Sequence, residues 1–139
     1  MSLKDESRRD LVSYRIEKAY KAIEHAKVNL NLGYLEVTAN RLYYAAYYTA
    51  SALLIANKIL AHSHEGVITQ FGFNFVKTGK VDREKGKLLS KLFSLRLKGD
   101  YSDKFDLKEE DLQPLIEPSE EFVPSISTMA LEAISSLSN

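Results

Sequence analysis

The sequence predicts an all-α protein: an antiparallel up-and-down four-helix bundle with one short accessory helix. Three observations carry that expectation. Apolar residues recur at three- and four-residue steps along four long segments, which is the spacing of one helical face. No run alternates polar and apolar residues as a half-buried strand would. The links between long segments are short, which sets consecutive helices side by side and antiparallel. With 139 residues, the chain is expected to form one domain over residues 1–139, its core running from about 8 to 137.

The first helix spans about Ser7 to Asn31, with Leu11, Ile16, Ala19, Ile23, Ala26 and Leu30 on its inner face and Gly33 as the residue that ends it. The second runs from Tyr34 to about Ile59. Leu35, Ala39, Leu42, Ala46, Thr49 and Leu53 alternate by four and three along it. Tyr44, Tyr48, Ser51 and Ile55 form a second stripe beside that seam. A helix apolar on so much of its circumference is central. Ser63 is placed to cap a short helix that starts at His64 and turns Val67, Ile68 and Phe71 inward. After the turn "KTGKVD", Asp82 opens a third long helix carrying Leu88, Leu89, Leu92, Phe93 and Leu95, which Gly99 is expected to stop. The last segment, Lys108 to about Leu137, contains Pro114, Pro118 and Pro124. Each proline removes a backbone donor and crowds the preceding turn, so a kinked helix, or two helices broken near Pro118 to Pro124, is expected.

Composition narrows the function classes. The chain is 45% hydrophobic and 27% charged, with 19 basic and 19 acidic residues and zero formal net charge. No global field draws it to nucleic acid or an anionic membrane, so any anion site must be a local patch. Cysteine is absent, which removes disulfides, thiolate metal ligands and thiol catalysis. The opening "MSLKDESRRDL" is charged where a leader would be apolar, and no apolar run approaches a membrane span; a cytoplasmic protein with no membrane contact is expected. Phosphate-loop, dinucleotide and HExxH zinc signatures do not occur. His25, His62 and His64 form no metal set with neighbouring carboxylates, so neither metal nor cofactor is expected.

Three stretches carry polar chemistry. In "RLYYAAYYTASALL", Arg41 either pairs with an acidic neighbour such as Glu17 or Glu24 or offers its planar fork to a phosphate or carboxylate. Tyr43, Tyr44, Tyr47 and Tyr48 cover more than half of that helix; core packing suits Tyr43, and an exposed or interfacial place suits Tyr47. In "SHEGVITQFGFNFVKTG", His64 either fixes the start of its helix or contacts a ligand. In "LRLKGDY", Arg96 and Lys98 suit a helix C-terminus, and Asp100 with Tyr101 opens the following turn.

Taken together and in order, these stretches resemble the HEPN domain (higher eukaryotes and prokaryotes nucleotide-binding), most closely its small stand-alone prokaryotic branch. The likeness rests on Arg41, Tyr43, Tyr44 and Ala45, then His64, Gly66 and Phe71, then Arg96, Asp100 and Tyr101, and it covers about residues 10–135. It implies a bundle that is usually a homodimer, and often a minimal nucleotidyltransferase as partner in a toxin–antitoxin-like or substrate-binding pair. Many members are metal-independent ribonucleases with an R-x(4–6)-H site, and here Tyr101 stands where an R-x(4)-H histidine would follow Arg96. Tyrosine, with an unperturbed pKa of about 10, is a poor base at neutral pH. The expectation is therefore a module that binds a nucleotide, RNA or the nucleotidyltransferase through Arg41, Tyr44, His64, Arg96, Asp100 and Tyr101. An endoribonuclease using Arg96 with His64 or Tyr101 is the alternative, and a structural dimerisation module is the third reading.

Overall fold

A computed structural model describes residues 4–101 and 106–137. Five α-helices follow in order: α1 (Asp5–Asn31), α2 (Leu35–Ala56), α3 (His64–Phe71), α4 (Arg83–Tyr101) and α5 (Glu109–Ser135). A single π-helical turn, Gly72–Val76, continues α3. Among the described residues there is no strand. The four long helices form the expected bundle, and α3 is the accessory helix.

Packing follows from where the apolar faces lie. Helix α2 touches all four others, as its double stripe requires, and it meets α5 across the middle of the bundle. That contact keeps α1 and α4 apart. Leu42, Tyr43, Ala45, Ala46, Ala50, Leu53 and Leu54 of α2 are fully or almost fully buried, and Phe122, Val123 and Ile126 of α5 are too. Small side chains on α2 let its neighbours approach closely, which is why the most enclosed helix is alanine-rich.

Most boundaries obey local chemistry. Gly33 ends the α1–α2 link at φ +80, a conformation that glycine adopts without penalty. The Ser63 hydroxyl accepts from the Gly66 amide at 2.9 Å and so caps α3. Asp82 accepts from the Lys85 amide at 3.1 Å ahead of α4. Near the start of α1, Arg8 donates to the Ile55 carbonyl and Arg9 to the Leu137 carbonyl, each at 2.7 Å. The start of α1 thus satisfies carbonyls at the ends of α2 and α5.

Two expectations need correction, one alternative falls away and one element was not expected. Gly99 does not stop α4, which continues to Tyr101; a helix can carry one glycine at a cost of about 1 kcal/mol when its face is packed. Of the two alternatives for α5, a kinked helix or two helices, two helices are ruled out: it is one helix of 27 residues with three internal prolines. All three prolines are exposed while Leu112, Leu115, Phe122, Val123, Ile126 and Ala130 are buried, so the missing amides fall on the solvent side and packing holds the helix. On α1, Ile16, Ala19, Ile23 and Ala26 are buried as expected, whereas near the helix start Val12 is fully buried and Leu11 only half-buried. The π-turn was not foreseen.

Candidate functional site: an arginine, tyrosine and histidine cluster

Three elements build the cluster. Helix α2 supplies Arg41, Tyr43, Tyr44, Tyr47 and Tyr48, the start of α3 supplies His64, and the last turns of α4 supply Phe93, Arg96 and Asp100. On α2 the steps Arg41 to Tyr44 to Tyr48 keep one face, and Tyr43 to Tyr47 keep the adjacent one. Helix α4 runs beside α2, with Phe93 against Tyr43 at a ring separation of 5.5 Å, and one turn later Arg96 arrives over the tyrosines.

The centre is Tyr44. The Arg41 guanidinium carbon lies 5.3 Å from its ring centroid, and that of Arg96 lies 5.6 Å from the same ring. Both distances fall within the range where a ring quadrupole attracts a cation. Two like charges from different helices are held close to one aromatic group, an arrangement that bound anionic oxygen would relieve. Arg96 is also 5.9 Å from the Tyr43 ring. Its Nε pairs with the Asp100 carboxylate at 3.0 Å, one turn further along α4.

His64 packs against the same tyrosines. Its ring stacks on Tyr47 at 4.4 Å with an interplanar angle of 19° and meets Tyr44 edge-on at 5.7 Å. Its Nδ1 is 2.6 Å from the hydroxyl of Tyr43. Burial lowers the imidazole pKa from its ordinary value, and the positive charge of Arg96 pushes the same way. Burial likewise raises the Tyr43 phenol, so neither group ionises at neutral pH. The pair is a neutral imidazole and a neutral phenol.

Arg41, Tyr44, His64, Arg96 and Asp100 therefore come together as one cluster. The exception is Tyr101: it is the last residue of α4, and its side chain lies outside the described residues. Arg41 makes no pair with Glu17 or Glu24; its Nε and Nη2 donate to the side-chain oxygen Oδ1 of Asn40 at 3.1 and 2.8 Å, and Glu17 pairs with Lys21 instead. Tyr43 is in the core as expected, yet its hydroxyl is a working part of the cluster. Tyr47 is half-buried and stacks on His64 rather than being exposed; among the described residues Tyr14, Tyr20 and Tyr34 are the exposed tyrosines. The four-residue step from Tyr43 to Tyr47 was the signal that both face one neighbour. Lys18 of α1 extends the cationic edge, 4.8 Å from the Tyr48 ring. Among the described residues no group of His, Asp or Glu is placed to hold a metal, and no helix is long and apolar enough to cross a membrane.

Residues 12–127 match the HEPN domain. The chain belongs to the HEPN family. A UPF0332 protein of Thermotoga maritima is 35% identical over 119 residues, covering 86% of this chain and 90% of that protein. Two proteins of Methanocaldococcus jannaschii named as candidate toxins are also similar. One is 32% identical over 127 residues, covering 91% of this chain and 93% of its own, and the other is 30% identical over 101 residues, covering 73% and 69%. In this HEPN chain the fifth residue after Arg96 is Tyr101, and the histidine whose pKa the charge of Arg96 helps burial to lower, His64, comes from α3.

Proposed function

We propose that this HEPN protein binds a phosphate-bearing ligand, a nucleotide or RNA, in the cluster of Arg41, Tyr44, His64, Arg96 and Asp100, in a toxin–antitoxin-like or substrate-binding role. The convergence of two guanidiniums on the Tyr44 ring carries this reading. In a chain of zero net charge, two guanidiniums against the single carboxylate of Asp100 leave a local positive excess that suits an anion. Arginine forks suit phosphate geometry, and the tyrosine ring gives a base a surface to stack on. Asp100 holds Arg96 in register, since a paired guanidinium has less rotamer freedom to lose on binding. The candidate-toxin names of the Methanocaldococcus relatives favour the toxin–antitoxin setting. A homodimer, a minimal nucleotidyltransferase partner and a cytoplasmic location belong to the same proposal.

A second reading is favoured by one observation: Arg96 and His64 both pack on the rings of Tyr43 and Tyr44. A metal-independent endoribonuclease would use Arg96 to stabilise charge on the scissile phosphate, with His64 or Tyr101 transferring the proton. Single-stranded RNA incubated in EDTA with the intact protein and with Arg96→Ala separates the two. Binding without cleavage, lost in the variant, supports the module; cleavage lost in the variant supports the enzyme.

A further inference from the structure

Tyr43 and His64 make a contact that anion binding alone does not require. Tyr43 is 0% exposed, and a phenol so enclosed must give its proton to an acceptor or leave a buried donor unsatisfied. Among the described residues the partner of that hydroxyl is His64 Nδ1, at 2.6 Å. A phenolic O–H is a stronger donor than the N–H of a neutral imidazole, and an imidazole lone pair is a stronger acceptor than a phenolic oxygen. The proton therefore lies on the tyrosine, and Nδ1 accepts it. A neutral imidazole carries one ring proton, so that proton sits on Nε2. Tyr47 covers one face of the ring, which holds the ring's orientation as well as its tautomer.

We infer that Tyr43 is a positioning residue that fixes His64 in the Nε2–H tautomer, so that the imidazole meets a phosphoryl oxygen as a hydrogen-bond donor beside Arg96. The buried tyrosine of the Arg-x-Tyr-Tyr stretch thus acts on the ligand through the histidine, while its neighbour Tyr44 faces the arginines directly. A resting His64 of this kind donates a hydrogen bond and takes no proton at Nε2, because that position is already filled. The cluster then presents its ligand with three donors, the guanidiniums of Arg41 and Arg96 and one imidazole N–H. The tautomer half of the inference stands on the free protein alone, whereas the ligand half rests on the phosphate reading above.

Long-range 1H–15N correlation spectra of the ligand-free, 15N-labelled protein test the first half, because a protonated and an unprotonated ring nitrogen resonate far apart. His64 is expected to show its proton on Nε2, and Tyr43→Phe, which keeps the ring's packing, to relax that bias roughly fivefold, the weight of one net hydrogen bond. Exposed His25 and His62 serve as internal references. A proton on Nδ1, or a mixture like that of the references, overturns the assignment, and the wild-type spectrum decides this even if the variant does not fold. Titration with a labelled single-stranded RNA tests the second half. Tyr43→Phe and His64→Asn are expected to weaken binding severalfold to roughly tenfold. His64→Gln, whose amide N–H reaches about as far as Nε2–H, is expected to keep most of it. Loss in Arg96→Ala with none in Tyr43→Phe or His64→Asn overturns the donor role but leaves the ligand reading intact. Unchanged binding in Arg96→Ala as well overturns the ligand reading, and the tautomer assignment is then judged on the spectra.

Discussion

At the scale of single residues, His64 is the group whose surroundings make a measurable demand. Burial favours its neutral form, and the charge of Arg96 adds to that. The folded protein thus binds fewer protons at His64 than the unfolded chain does, over the range from about pH 6.5, the free imidazole value, down to the lowered folded value. The resulting stabilisation is complete above about pH 6.5 and is lost as pH falls through the folded value. Chemical denaturation of the intact protein and of His64→Gln at descending pH checks the sign. The stability of the intact protein relative to the variant should shrink below about pH 6.5, and a constant difference would refute the assignment. The same residue shows what was legible in the sequence. That His64 opens a capped helix could be read from Ser63, and that it was polar chemistry could be read from its type. Its partner could not be read, because the Tyr43 contact spans 21 positions and depends on how α3 folds back over α2. Arg41 is the converse case: helix spacing suggested acidic partners on α1, whereas the geometry gives its donors to Asn40 beside it.

At the scale of elements, α3 is the piece on which the cluster depends most. It is 8 residues long, too short to persist without support, and the Ser63 cap fixes where it begins. Ser63→Ala should cost about 1 kcal/mol in denaturant unfolding. Because His64 is the first helical residue after the cap, the same change should also relax the tautomer bias of His64. A loss of stability with the tautomer untouched would mean that Tyr43 and Tyr47 alone hold the ring. Helix α5 marks the limit of reading elements from local rules. Three prolines announced a kink or a break, because local cost is all that a sequence pattern weighs, at about 3 kcal/mol for each proline in a helix interior. The buried side from Leu112 to Ile134 outweighs that cost, and the helix runs through. For α2 the local and global signals agree, and its seam is buried as its heptad spacing implied.

At the scale of the whole molecule, the bundle is a frame that holds α2, α3 and α4 around one polar cluster. Phe122 of α5, fully buried, meets Phe71 at the end of α3 with ring centroids 5.8 Å apart. The far wall of the core thereby supports the accessory helix. Phe122→Ala should destabilise the protein by about 3–5 kcal/mol, and hydrogen exchange should show α3 opening at lower denaturant than α1. Uniform opening of both would place α3 in the same cooperative unit. Fold class was legible throughout, since four amphipathic segments and no strand pattern leave few alternatives. The cluster was legible as a set of residue types and not as a shape, because its members lie 55 positions apart, from Arg41 to Arg96.

The central claim is that two arginines on neutral scaffolding form an anion site. Its direct test is a titration of labelled single-stranded RNA in EDTA across a salt series, with the intact protein and with Arg96→Ala. Binding should weaken with salt at a log–log slope of about −1.4, the value for two phosphates neutralised on a single strand. Arg96→Ala should weaken it by roughly tenfold and halve that slope. No binding by the intact protein, or the same affinity and slope in both, would contradict the claim.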